Sequence, residues 1–138
     1  MALTPHGPGF SFLDAFEIIE PGKRARGRKQ LDPQLPVFAD HFPGQPLLPG
    51  VLLVECAAQT AGAFWQRTAS LPPTAPVFLA AVHQFRFRQP VLPGQTLETE
   101  VTLEKDLGSL AQFDAVVRVG ATVVAQGKLS LSRQLAAG

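Results

Sequence analysis

The sequence of 138 residues is poor in cysteine, in charge and in uninterrupted apolar runs. Its one cysteine, Cys56, cannot form an internal disulfide, which favours a reducing compartment. Charged residues make up 17% of the chain and the net charge is +1, which is too weak to indicate binding to nucleic acid. The first ten residues have neither a basic region nor a long apolar core, so we expect no signal peptide and a cytoplasmic location.

Two further classes of protein lack support in the sequence. The longest apolar stretch, over residues 47–65, is broken by proline, glycine and polar residues, and it is too short and too polar for a membrane span. There is no Gly-rich phosphate loop and no pair of histidines at the spacing of metal ligands. We therefore predict no metal and no organic cofactor.

The sequence does contain enough apolar material for one packed domain. Hydrophobic residues are 46% of the chain, and a chain of 138 residues forms a single domain by the usual relation of length to domain number. We predict one domain over residues 1–138. Residues 1–10 are rich in proline and glycine, so we expect them to form a loose lead-in.

The pattern along the chain predicts an α+β fold. Residues 31–50 contain five prolines and should form a long, stiff loop. Residues 51–67 are apolar nearly all the way round, which predicts a helix that is buried on all sides and is ended by Leu71-Pro72-Pro73. Between residues 77 and 132, apolar and polar residues alternate and glycines mark turns, which predicts an antiparallel meander of strands.

His41 and Glu55 are the residues whose chemistry stands out. His41 lies in the Pro/Gly loop and belongs to a residue type that titrates near neutral pH, so it can act as a base. Glu55 lies in the apolar run, where desolvation favours the protonated form of a carboxyl, so it can act as an acid. Gln59 lies one helical turn further on the same face and can orient that carboxyl. The backbone N–H of Gly50 or Val51, at the start of the helix, can stabilise an oxyanion.

A basic run at residues 23–29 leaves two interpretations open. It contains five lysines and arginines separated by small residues. Positive side chains at the edge of a sheet discourage unwanted strand pairing, and they also attract acidic partners. We favour a solvated strand edge for this run.

The stretch His41-Phe-Pro-Gly-Gln-Pro-Leu-Leu-Pro-Gly-Val-Leu-Leu-Val-Glu55-Cys-Ala-Ala-Gln59 is similar to the signature of the bacterial 3-hydroxyacyl–acyl carrier protein dehydratases of the FabZ group. Residues 19–23 and 85–94 resemble two further parts of that family, and the resemblance extends over residues 12–132. It implies a single hot-dog domain, in which an antiparallel β-sheet wraps a long buried central helix. The related FabA group has aspartate where Glu55 stands, so the chain looks like the FabZ type.

The resemblance implies a lyase that dehydrates 3-hydroxyacyl thioesters on acyl carrier protein to trans-2-enoyl thioesters, without a cofactor. It makes His41 and Glu55 the catalytic pair, with Gly50, Val51 and Gln59 as the groups that orient the substrate or bind its oxyanion. In that family the site lies between subunits of a homodimer or a trimer of dimers. We therefore expect His41 of one chain to face Glu55 of its partner.

The sequence also contains candidate residues for the acyl tunnel and for the contact with the carrier protein. The tunnel candidates are Phe42, Leu48 and Phe78, and the candidates for carrier-protein docking are Arg86 and Arg88. Leu48 replaces the family's usual methionine, and Phe78 stands where several members have tyrosine. His83 lies near a position that is often acidic, and we assign no function to His83 or to His6.

Several alternatives stay open at this point. Hot-dog acyl thioesterases use a carboxylate on the same helix but lack the His-Phe-Pro-Gly loop. A catalytically silent acyl-binding subunit of a heteromeric dehydratase would keep the motif. Coenzyme A remains an alternative carrier. The pathway is either fatty acid biosynthesis or a related polyketide-like or aryl-polyene-like synthesis.

Overall fold

The structure is a computed structural model that describes residues 3–68 and 76–134. In chain order its elements are a 3-10 helix at Pro8–Phe10, strands β1 Ala15–Glu20 and β2 Arg24–Gln30, helices α1 Val37–Asp40 and α2 Gly50–Thr68, and strands β3 Val77–Phe87, β4 Thr96–Asp106, β5 Leu110–Val119 and β6 Thr122–Arg133. Helix α1 is a single turn inside the stretch predicted to be a stiff loop. The prolines around it prevent a longer helix.

The described strands form one antiparallel sheet in the order β1-β2-β4-β5-β6-β3. Strands β4, β5 and β6 are a meander, and the chain reverses between them at Gly108 and Gly120, whose positive φ values of 90° and 59° suit glycine. Strand β3 pairs with β6 and not with β4, which follows it in the chain. This order leaves β1 and β3 as the two edges of the sheet.

Helix α2 packs against the sheet and supplies much of the core. Its bounds, Gly50–Thr68, agree with the helix predicted over 51–67, while the predicted stop at residues 71–73 lies outside the described residues. Phe64 and Trp65 in its second half are 0% exposed. The predicted α+β architecture, with a long central helix against an antiparallel sheet, is confirmed.

Small residues allow the helix to approach the sheet closely. Ala57 and Ala61 on α2 are fully buried. On β2, a methyl group at Gly27 would clash with the Thr60 hydroxyl and would lie 2.5 Å from Leu13 Cδ1. Glycine fits this gap, and any larger residue would separate the helix from β2.

One stripe of α2 stays partly open to solvent. Val51, Val54, Glu55 and Ala58 recur at helical spacing and none of them is fully covered, so the helix is not buried on all sides within one chain. Edge strand β3 also exposes large apolar side chains, namely Phe78, Leu79, Val82 and Phe87. Open apolar surface of this kind is typical of an interface.

Candidate active site

His41 follows α1, and the loop around it holds its ring in one orientation. The His41 N–H donates to the Val37 carbonyl at 3.0 Å, and the His41 carbonyl accepts from the Leu47 N–H at 2.8 Å. The ring stacks on Phe42 with 4.1 Å between centroids, and its Nδ1 lies 3.0 Å from the Leu47 carbonyl oxygen. Because a carbonyl oxygen only accepts hydrogen bonds, Nδ1 carries the proton. The neutral ring then offers the lone pair of Nε2 to a substrate.

Glu55 lies on the open stripe of α2, with 22% of its side chain exposed. Gln59 Nε2 donates to Glu55 Oε2 at 2.9 Å, and His6 Nε2 lies 3.5 Å from the same oxygen. No described residue donates a hydrogen bond to the other oxygen, Oε1. The carboxyl is therefore held through one oxygen while the second stays available.

Gln59 connects Glu55 to the N-terminal part of the chain. It is 2% exposed, and its Nε2 donates to the Phe10 carbonyl at 2.9 Å as well as to Glu55. Its Oε1 accepts from the Phe12 N–H at 2.8 Å. An N–H on one side and a carbonyl on the other identify the oxygen and nitrogen ends of the amide. The side chain is thereby fixed in the orientation that presents a donor to Glu55.

Gly50 and Val51 open helix α2, so their N–H groups precede its first internal hydrogen bond. Neither group donates to another residue in the part of the chain that the structure describes. The Phe87 ring packs against Gly50, where a methyl group would lie 3.1 Å from the ring. A cavity of about 260 Å³ adjoins this helix terminus, and its lining includes Leu47, Leu48, Leu53, Val91 and Arg88.

The structure brings Glu55 and Gln59 together and keeps His41 apart from them. No hydrogen bond or ion pair joins His41 to Glu55 among the described residues. The meeting of these two groups across two chains, expected from the resemblance, concerns a second subunit and stays a prediction.

The three tunnel candidates lie in different environments. Leu48 is 3% exposed and belongs to the hydrophobic core. Phe42 is half exposed beside His41, and Phe78 is exposed on edge strand β3. Phe42 and Phe78 are thus open to a substrate or to a second chain, whereas Leu48 lines the small cavity at the start of α2.

Ion pairs divide the basic residues into two groups. Four cations of the run 23–29 pair with carboxylates, in the combinations Arg24–Glu100, Arg26–Glu17, Arg28–Glu98 and Lys29–Asp14. The run lies on β2, which pairs with β1 on one side and with β4 on the other, so the predicted sheet edge is wrong. Its charges are instead neutralised by carboxylates on and beside these two neighbouring strands. Arg86 and Arg88 have no acidic partner within ion-pair distance among the described residues. They border a cavity of about 270 Å³ that is also lined by Lys128 and Asp114, which pair with each other.

Cys56, next to Glu55, is not a candidate nucleophile. It is 1% exposed, and burial, followed by the nearby charge of Glu55, raises the pKa of its thiol to about 12. A thiol in that state is not a nucleophile near neutral pH. Cys56 therefore serves as a small packing residue.

His6 is the residue at the site for which the sequence analysis assigned no function. It lies in residues 1–10, for which composition suggested a loose lead-in, yet Thr4 is 4% exposed and the Phe10 carbonyl is bound to Gln59. Residues 1 and 2 lie outside the described residues. Proline and glycine content describes local backbone preference, and it carries no information about partners far along the chain.

The residues that the structure describes lack two other features. None of the helices there has the length and apolar character needed to cross a membrane. Nor do three or more His, Cys, Asp or Glu side chains cluster there as a metal ion would require.

Comparison with known proteins places these observations in a family. The model of the FabA-like domain matches residues 4–128. The 3-hydroxyacyl-[acyl-carrier-protein] dehydratase FabZ of Herpetosiphon aurantiacus is 40% identical over 129 residues, which cover 94% of this chain and 91% of the relative. The FabZ of Klebsiella pneumoniae subsp. pneumoniae is 34% identical over 134 residues, which cover 96% and 89%.

Solved structures share the fold at lower identity. The dehydratase heterocomplex ApeI:P from Xenorhabdus doucetiae matches with a TM-score of 0.82 at 17% identity, over 97% of this chain and 90% of that one. The fluoroacetyl-CoA thioesterase FlK matches with a TM-score of 0.65 at 13% identity, over 83% and 88%. These likenesses confirm the predicted hot-dog fold, and at such identities they carry no information on activity.

Proposed function

This chain belongs to the FabA-like domain family, and we propose that it is a hydro-lyase that dehydrates 3-hydroxyacyl thioesters on acyl carrier protein. Relatives named as 3-hydroxyacyl-[acyl-carrier-protein] dehydratases, at 34% to 40% identity over nearly the whole chain, support the reaction class. The observation that carries the proposal is the bond between His41 Nδ1 and the Leu47 carbonyl, because it leaves Nε2 as the base.

The proposed reaction removes a proton from C2 and a hydroxyl from C3. His41 Nε2 takes the C2 proton, and the negative charge that develops on the thioester oxygen is stabilised by the N–H groups of Gly50 and Val51. Glu55 Oε1 gives a proton to the C3 hydroxyl, which leaves as water as the C2–C3 double bond forms. Each turnover moves one proton onto His41 and one from Glu55, so solvent must return a proton to Glu55 and accept one from His41.

We propose that the site is shared between the two chains of a homodimer. The open stripe of α2 and the exposed apolar side chains of edge strand β3 support this assembly, because two β3 edges can pair and cover both surfaces. The lack of a bond between His41 and Glu55 within one chain is consistent with a site completed by a partner. A trimer of such dimers is the alternative assembly.

Mixing two inactive variants tests both the reaction and the shared site. His41→Ala and Glu55→Gln should each remove nearly all of the absorbance change of enoyl thioester formation and leave only a slow residual rate, while circular dichroism stays unchanged. Chains mixed at equal amounts through a denaturing and refolding step should recover about a quarter of wild-type activity. Half of the dimers are then mixed, and each mixed dimer has one intact site of two.

The outcomes of this assay separate the alternatives. No recovery on mixing would place base and acid in one chain and overturn the shared site. Release of free thiol without an enoyl product would identify a thioesterase. Silence of the folded wild-type protein on every carrier-linked substrate would identify a non-catalytic acyl-binding subunit.

The carrier and the pathway follow from the relatives and from the exposed arginines. The relatives are named for acyl carrier protein, which supports it as the carrier. Arg86 and Arg88, which have no acidic partner within ion-pair distance among the described residues, would contact its acidic surface. We place the reaction in fatty acid biosynthesis, with polyketide-like or aryl-polyene-like synthesis as the alternative that a panel of acyl chain lengths would reveal. The cytoplasmic location stays a prediction from the sequence.

A further inference from the structure

Residues 4–12, which we call the N-terminal strap, lie against helix α2 beside the proposed acid. The strap is anchored at its start by Thr4, which is buried, and at its end by Phe12, which belongs to the core. Between these anchors the Gln59 amide bonds the Phe10 carbonyl and the Phe12 N–H. The strap is therefore fixed to the same helix that carries Glu55.

The strap places one titratable side chain, His6, against Glu55. His6 Nε2 lies 3.5 Å from Glu55 Oε2. The backbone N–H of His6 donates to the Thr4 hydroxyl at 3.4 Å. The ring also lies 5.9 Å from that of Phe10, between centroids. Its Nδ1 is buried and has no hydrogen-bond partner among the described residues.

The unpartnered Nδ1 indicates the tautomer of a neutral His6 ring. A buried N–H without an acceptor is rarer in proteins than a buried acceptor without a donor, so the proton belongs on Nε2. Nε2–H then faces Glu55 Oε2, which already accepts from Gln59. Gln59 and His6 thus both act on Oε2, the first by a hydrogen bond and the second by a polar contact at 3.5 Å, and Oε1 stays available to carry a proton.

We propose that His6 is a positioning residue for the dehydration, acting with Gln59 to hold Glu55 by Oε2 so that Oε1 delivers the proton to the leaving hydroxyl. This inference rests on the proposed function. A carboxyl turns easily about its last side-chain bond, and two donors on one oxygen restrict that rotation. At 3.5 Å the contact is not yet a hydrogen bond in the free chain, and a shortening on substrate binding would complete it.

Kinetics of substitutions at residue 6 test the role. His6→Leu should lower kcat about tenfold with little change in KM, because the loss concerns orientation of a group that acts in the transition state. His6→Gln keeps a donor at similar reach and should restore much of the rate. Gly7→Ala is the matched control, since a methyl group at residue 7 would contact nothing within 4 Å.

A double variant shows whether His6 acts through Glu55. His6→Leu should cause no further loss in the residual rate of Glu55→Gln, because the group it positions is already gone. An equal tenfold loss in both backgrounds would overturn the inference, as would a wild-type kcat for His6→Leu. A double-mutant cycle of unfolding free energies, which needs no enzyme activity, completes the test.

In that cycle, urea unfolding is measured for wild type, His6→Leu, Glu55→Ala and the double variant at one protein concentration. The equilibrium constant of unfolding of the double variant should differ by at least about twofold from the value obtained by multiplying the effects of the two single variants, since the two side chains touch. Simple multiplication would overturn the inference. If the wild-type protein is inactive, the proposed function is refuted, and the unfolding cycle alone then tests whether His6 interacts with Glu55.

Discussion

Gln59→Leu is the substitution whose cost the structure allows to be worked out. Leucine has a similar volume and can fill the buried space, so the change mainly removes hydrogen bonds. The buried Phe12 N–H loses its acceptor, which costs roughly 1–3 kcal/mol. The Phe10 carbonyl loses a donor but lies in an exposed residue and can bind water, so that bond adds roughly 0.5–1.5 kcal/mol. We expect the free energy of unfolding to fall by about 1.5–4.5 kcal/mol.

Urea unfolding followed by the fluorescence of Trp65 measures this loss directly, because Trp65 is the single tryptophan and is fully buried. Thr60→Val is the matched control. Thr60 is also buried on α2, but its hydroxyl bonds only the Cys56 carbonyl within the helix, so its loss should cost about 1 kcal/mol. A Gln59→Leu effect no larger than that of Thr60→Val would refute the reasoning that Gln59 fastens the strap to the helix.

Two further predictions concern a buried thiol and an exposed basic pair. The Cys56 thiol should resist alkylation at pH 8 in the native protein and react in urea. Because its pKa rises from 9.0 to about 12 on folding, its contribution to stability is complete below pH 9 and is lost toward pH 12, a decline that Cys56→Ala should lessen. Arg86→Glu with Arg88→Glu should raise KM for carrier-protein substrates but not for uncharged N-acetylcysteamine thioesters, and more so at low salt. Arg28→Glu, which disrupts the pair with Glu98, is the control, and equal effects would argue against docking at the first two residues.

The contact between Glu55 and Gln59 could be predicted from the sequence, because two residues four apart on a helix lie on the same face. The catalytic roles of His41 and Glu55 stay a prediction. Turns at Gly108 and Gly120 could also be predicted, since a positive φ favours one residue type locally.

Features that depend on contacts between residues far apart in the chain could not be predicted from the sequence. The neutralisation of Arg26 by Glu17 and of Arg28 by Glu98 follows from strand register, which composition does not reveal. The pairing of β3 with β6 across the sheet is likewise long-range. The strap is the clearest case, because its order depends on hydrogen bonds to Gln59 that span nearly fifty residues of chain.

On the proposed dimer, assembly and catalysis depend on one surface. An edge strand with exposed Phe78 and a helix with exposed Val51 are both unfavourable in water, so covering them favours association. The same helix stripe carries Glu55, which the single chain already holds through Oε2 by internal contacts. On this proposal a single chain orients Glu55 by itself, its own His41 lies apart from that carboxyl, and pairing would bring His41 of the partner subunit to it. Burial of the stripe on association would also remove water from Oε1, and exclusion of water strengthens the electrostatic interactions of a proton-transfer site.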